Sequence, residues 1–226
     1  MRFFVDLLNL IYPVKCEVCG RLLAESERAI CSLCYLRLPR TNYHLDDANP
    51  MVQLFWGRAR VLHASSYFFF YKGSPYQSLL HKLKYGGNKN IGFTLGKLFA
   101  AELINTFFST ADLMIPVPLH PKKQKKRGYN QSEMIARGLN VLFAMELNTK
   151  ILIRTGFAAT QTNKGRFDRY LNMKEQFQVT EPEELKGKSV LLIDDVVTTG
   201  STLEACAQAL LEAGCGDLNI LCLAIA

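Results

Sequence analysis

Apolar residues follow two rhythms along this chain. Short unbroken runs such as Val190-Leu191-Leu192-Ile193 suit a buried parallel strand and are too short for a helix. Other stretches place apolar residues three and four positions apart, the spacing of a helix with one buried face. From residue 61 onward the two alternate. Val61–Tyr71 reads as an aromatic-rich strand, alone or as a hairpin. Pro75–Tyr85 carries the helical stripe Leu79, Leu80, Leu83 and stops at Gly86-Gly87. A second helix runs from Gly92 to about Phe108. Asp112–Leu119 is a strand whose prolines bar further pairing. Asn130–Leu142 is an amphipathic helix. After Ile193, a helix with Leu203, Cys206, Ala207, Leu210 and Leu211 on one face stops at Gly214, and Asn219–Ala226 closes the chain as a buried strand. Strands alternating with helices predict an α/β fold, a Rossmann-like parallel sheet with helices on its faces. Ligands of such sheets sit beyond the carboxyl ends of the strands.

The residues that follow Ile193 make that edge specific. Asp194 and Asp195 are followed by Val196-Val197 and then by a turn dense in hydroxyls, Thr198-Thr199-Gly200-Ser201-Thr202. A helix N-terminus offers free amides and a partial positive charge, which suit a phosphate. Gly200 allows close backbone approach. Two carboxylates can accept from the vicinal hydroxyls of a ribose. A sugar phosphate therefore fits the whole stretch. Ser201 and Glu204 have the spacing of a capping box. Gly187-Lys188-Ser189 is no Walker A loop: Pro182 stands where that motif needs its first glycine, and the tripeptide precedes a strand instead of following one. A phospho-acceptor receiver domain needs far more chain than follows Asp195.

Other segments add chemistry without deciding it. Two CxxC pairs, Cys16/Cys19 and Cys31/Cys34, supply four thiolates, the ligand set of a closed tetrahedral zinc site. With no position open to water, such a site is structural or binds a partner. Cys206, Cys215 and Cys222 fall in apolar patterns and read as core. Residues 39–60 read as a linker or irregular segment. Lys84 ends its helix either as a favourable cation or as a phosphate ligand. Five of the six residues Lys122–Arg127 are basic; they read as a solvated loop, a pyrophosphate clamp or a nucleic-acid contact. Residues 151–177 are polar, with Arg154, Lys164, Arg166 and Arg169 and little periodicity, and read as an exposed loop or a lid over a leaving group.

Composition agrees with a globular chain: 49% of residues are hydrophobic, and the net charge of +7 favours anionic partners. Residues 1–13 are apolar but interrupted by Asp6, and they lack a cleavage site. They read as a short amphipathic helix with Phe3, Phe4, Leu7, Leu8 and Ile11 on one face, packed on the body or resting on a membrane surface. They are too short to span a bilayer, and no apolar stretch of sufficient length occurs elsewhere. A cytoplasmic protein, at most at the inner face of the membrane, is expected.

Val190–Thr202 resembles the signature by which type I phosphoribosyltransferases hold phosphoribosyl pyrophosphate. The chain as a whole resembles the ComF family of phosphoribosyltransferase-like competence proteins. The resemblance runs through the four cysteines, Leu83-Lys84-Tyr85, Pro116-Val117-Pro118-Leu119, Arg127-Gly128-Tyr129-Asn130-Gln131, Arg154-Thr155, Gln161, Arg169 with Asn172 and Phe177, and Asp194–Thr202. Asn163-Lys164-Gly165 departs from it where an apolar residue is expected. The resemblance implies an N-terminal helix and zinc finger over residues 1–50 and a type I phosphoribosyltransferase-like domain over 51–226. It implies phosphoribosyl pyrophosphate bound with Mg²⁺ by Asp194, Asp195, Val196, Val197, Thr198, Thr199, Gly200, Ser201, Thr202, Lys84, Tyr85, Arg127 and Arg169. It also implies a role in uptake of transforming DNA, beside a ComF-type helicase and single-strand-handling proteins. Two readings stay open: a phosphoribosyltransferase acting on an unknown acceptor, or a non-catalytic module that senses the ligand and binds single-stranded DNA or a partner. No acceptor pocket is legible in the residues.

Overall fold

Eight residues, Val190–Val197, form the central strand, and the side chains of its first four alternate between two cores. Leu191 and Ile193 join one apolar cluster with Leu83, Leu95 and Ile135; Val190 and Leu192 join another with Val52, Leu203 and Cys206. Burying each such side chain is worth about 1.5–3 kcal/mol, so a strand packed on both faces must be apolar on both. The computed structural model describes residues 13–155 and 176–226.

In chain order the described elements are α1 (Ser32–Leu36), α2 (Pro50–Gln53), β1 (His63–Phe69), α3 (Gln77–Tyr85), α4 (Lys89–Leu103), β2 (Leu113–Pro116), α5 (Pro121–Arg127), α6 (Gln131–Phe143), β3 (Glu146–Leu147), β4 (Leu152–Arg154), β5 (Phe177–Val179), β6 (Val190–Val197), α7 (Ser201–Glu212) and β7 (Leu218–Ile225). The main sheet has the order β1-β7-β6-β2-β3, and every neighbouring pair is parallel. The expected α/β architecture is present.

Several expectations need correction. The segment 61–71 is a single strand, β1, paired parallel to β7, and not a hairpin. β7 lies inside the sheet between β1 and β6. The strand before the signature does not end at Ile193: β6 continues through both acids to Val197, because β7 pairs with it as far as Ile225. Residues 39–60 are not a linker. Asn49 caps α2 by accepting from Met51 and Val52, and Met51, Val52 and Phe55 are buried in the second core. Lys122–Arg127 is a helix and not a loop: Pro121 opens α5, the His120 ring accepts from the Lys122 amide at 3.1 Å, and Gly128 closes it at φ 81°. The polar stretch after Ile151 is strand at both ends, β4 and β5 pairing antiparallel. The second helix starts earlier than Gly92, at Lys89, and ends at Leu103. The N-terminal helix, Gln161, Asn163-Lys164-Gly165, Lys164, Arg166, Arg169 and Asn172 lie outside the described residues.

Helices α4 and α6 cross at two glycines. A Cβ on Gly96 would strike the Ile135 carbonyl, and one on Gly138 would strike the Phe93 carbonyl. This close crossing fixes α6, whose first residues face the sheet's carboxyl edge.

Candidate functional site

At that edge the backbone itself supplies the anion chemistry. β6 ends at Val197, Gly200 turns the chain at φ 75°, and α7 begins at Ser201. A residue with a Cβ resists that φ, so glycine is needed here. Phe55 and Leu54 pack beneath Gly200, and the Arg58 guanidinium donates to the carbonyls of Leu54 at 3.0 Å and Thr199 at 3.1 Å. The turn is thus held from below. The expected capping box does not form. Gly200, not Ser201, is the cap, with no side-chain bond; Glu204 pairs with Arg58, and the Ser201 hydroxyl bonds the Thr199 hydroxyl at 2.9 Å. Among the described residues, nothing accepts from the amides of Thr199, Gly200, Ser201 and Thr202. They remain available to an anion.

Asp194 and Asp195 follow on alternate faces of β6. Asp194 is partly buried, and its Oδ1 accepts from the Ser132 hydroxyl at 2.9 Å and the Asp195 amide at 2.8 Å. Burial, then the charge of Asp195, pushes its carboxyl up to about 7. Asp195 is buried and pairs with Lys84 Nζ at 3.1 Å. Both acids therefore have protein partners, but these lie at the sheet's carboxyl edge, beside the turn.

Lys84 and Tyr85 come from the last turn of α3. Tyr85 is exposed, and the Arg127 guanidinium lies 5.3 Å over its ring while donating to Gln131 at 2.8 Å. The Tyr129 hydroxyl donates to the Leu83 carbonyl at 2.5 Å. The buried Asn130 donates to the Val117 carbonyl at 2.9 Å and accepts from the Ser132 amide at 3.1 Å, capping α6. The structure thus joins α3, the α5–α6 junction and β6: Lys84 reaches Asp195, Ser132 reaches Asp194, and Tyr85 and Arg127 meet each other. Val196 and Val197 are in the strand and Thr198 is exposed in the turn; Arg169 lies outside the described residues.

Two groups go beyond the expected set. Ser132 fixes Asp194, and its only sequence signal is its place at a helix start. Arg154, at the end of β4, donates to Gln176 at 2.8 Å and lies over the Phe177 ring. Burial lowers its pKa, against the attraction of Cys206 and Asp194, and its Nε is buried with no partner among the described residues.

The N-terminal cysteines form a second centre. Their four sulfurs lie within 4.8 Å of one another, Cys19 to Cys31 at 3.7 Å. Tetrahedral Zn–S bonds of about 2.3 Å need sulfurs about 3.8 Å apart. Burial opposes ionisation of Cys16, yet the amides of Cys19, Cys31 and Val18 lower it to about 7; burial and the neighbouring thiols raise Cys34. A cation is what such a set lacks, and the cluster can hold a metal such as zinc. Cys206, Cys215 and Cys222 are buried core thiols.

The "Phosphoribosyl transferase domain" family matches residues 135–225. The DNA utilization protein YhgH of Escherichia coli O157:H7 is 30% identical over 212 residues, covering 92% of this chain and 88% of that protein. Competence protein F of Haemophilus influenzae is 29% identical, covering 65% of this chain and 66% of its own. Competence protein ComFC of Bacillus subtilis is 28% identical, covering 60% and 53%. With the parallel sheet, these matches give a type I phosphoribosyltransferase-like fold. Among the described residues, no helix is long and apolar enough to cross a membrane.

Proposed function

The chain belongs to the ComF family, and from that premise we propose that it binds phosphoribosyl pyrophosphate with Mg²⁺ at the end of β6 and serves uptake of transforming DNA from the cytoplasmic side. The observation that carries the ligand reading is the set of amides at Thr199–Thr202, which donate to no protein acceptor among the described residues. They suit the 5-phosphate. Asp194 and Asp195 suit the ribose hydroxyls, and Lys84, beside Asp195, and Arg127, over Tyr85, are the cations assigned to pyrophosphate in this reading. Mg²⁺, when bound with the ligand, supplies countercharge to pyrophosphate and the two acids. Tyr85 and Gln131 orient Arg127, Ser132 orients Asp194, and Arg58 holds the turn. Zinc on Cys16, Cys19, Cys31 and Cys34 is structural in this reading. Arg169 is assigned to pyrophosphate on the resemblance alone.

Transfer to an acceptor would require water exclusion and a nucleophile at the anomeric carbon. The nucleophile belongs to the acceptor, and no acceptor is identified by the described residues, so the proposal is binding of the ligand. A binding role in which single-stranded DNA or a ComF-type helicase is the partner draws on α5, whose lysines are exposed on an ordered helix. DNA affinity through α5 should fall steeply with salt and less steeply after K125A/K126A, which removes two cations; an unchanged salt slope excludes α5 as the contact.

Calorimetry with phosphoribosyl pyrophosphate and Mg²⁺ tests the ligand reading. Asp195→Asn should weaken binding at least tenfold, since charge-assisted bonds to the sugar and the pairing with Lys84 are both lost. Equal affinity for wild type and D195N removes Asp195 from the site.

A further inference from the structure

Glu17 stands between the first two metal cysteines, and nothing in a metal site requires an acid there. Its contacts point away from the sulfurs, to α3. Glu17 Oε2 accepts from Lys82 Nζ at 2.7 Å, and Oε1 accepts from Asn88 Nδ2 at 2.7 Å. Its carbonyl accepts from the Ser78 hydroxyl at 2.8 Å. These donors lie in the first turn of α3, in its last turn and at the junction with α4. The side chain of Glu17 is 19% exposed, so the contacts are partly shielded from water. Tyr76, just before α3, adds a bond from its hydroxyl to the Cys34 carbonyl at 2.9 Å.

The same short helix carries the site cation. Lys84 reaches Asp195, Tyr85 lies under Arg127, and the Leu83 carbonyl takes the Tyr129 hydroxyl. α3 has nine residues, and a helix of that length is not stable alone. Its buried stripe, Leu79, Leu80 and Leu83, keeps it on the core. Apolar contacts are non-directional and leave rotation and end position loosely set; hydrogen bonds to a fixed acceptor set them.

We propose that Glu17 is a positioning residue through which the cysteine knuckle sets the register of α3, so that metal loading tunes the anion site at the end of β6. This rests on the ligand reading given above. With the knuckle loaded, Glu17 is fixed and Lys84 is held at Asp195. With the knuckle empty, the Cys16–Cys19 loop is free to move, Glu17 leaves Lys82 and Asn88, and the last turn of α3 frays.

The test uses the full chain in its zinc-loaded form and reads three quantities: zinc content, hydrogen exchange of residues 82–86, and affinity for phosphoribosyl pyrophosphate with Mg²⁺. Asn88→Ala with Lys82→Ala breaks the clamp from the far side and touches no residue of the knuckle; Glu17→Ala breaks it from within, removing both acceptors. The clamp predicts normal zinc in K82A/N88A, faster exchange over 82–86 with β6 and β7 unchanged, and about tenfold weaker binding, as small misplacements of a charged ligand cost. E17A should likewise speed exchange over 82–86 and weaken binding. Slow exchange and wild-type affinity in K82A/N88A or in E17A overturn the proposal. If wild type binds no phosphoribosyl pyrophosphate, the ligand reading fails, and the exchange rates alone still decide whether Glu17 holds α3.

Discussion

Asp194 is the residue whose chemistry departs most from its ordinary behaviour. Its carboxyl, normally near 3.8, holds its proton up to about 7 because burial and Asp195 disfavour its charge. The folded state therefore binds more protons than the unfolded chain between those values. Stability contributed by the neutral form is present in acid and is lost as pH rises toward 7. Asp194→Asn keeps an acceptor for Ser132 and cannot ionise. It should raise the melting temperature at pH 8 by about 5 °C and change it little at pH 4; melting curves at the two pH values check this, and equal shifts at both refute the assignment. The pair Asp194-Asp195 is legible in the sequence because two acids at a strand end are rare chemistry. The partners are not. Ser132, 62 positions away, looks ordinary until the helix start that carries it reaches the same edge, and Arg154 is legible as a loop cation but not as a neighbour of Asp194.

Elements were legible where one period dominated. β6, α6 and α7 announce themselves by unbroken or three-and-four spacing. α5 did not, because a helix of lysines has no apolar face; its caps, His120, Pro121 and Gly128, are its only signal. The capping box failed for a different reason: Glu204 had the right spacing, but Arg58, far away in sequence, took it. β3, β4 and β5 are too short for a period to register. Two stability predictions belong here. Asn130→Ala loses the α6 cap and leaves the Val117 carbonyl unpaired, and should cost about 2 kcal/mol by denaturant unfolding. Gly138→Ala drives a methyl into the backbone of α4 and should cost about 3 kcal/mol. A loss under 0.5 kcal/mol in either variant contradicts the packing described.

At the scale of the whole molecule, the cysteine knuckle and one face of β6 share the first core. The cysteine knuckle packs on the first core with α3 and α4, and Arg40 binds Glu102 of α4 at 2.8 Å. Metal analysis should find about one zinc per chain, and chelation should lower the melting temperature; a metal-free chain of unchanged stability contradicts a structural zinc. The net charge of +7 fits a protein whose partners are phosphates. The measurement that tests the account most directly is a crystal structure with phosphoribosyl pyrophosphate and Mg²⁺ bound. The account predicts the 5-phosphate on the amides of Thr199–Thr202 and the ribose hydroxyls at Asp194 and Asp195. Ligand density elsewhere, with those amides bonded to the protein itself, would contradict it.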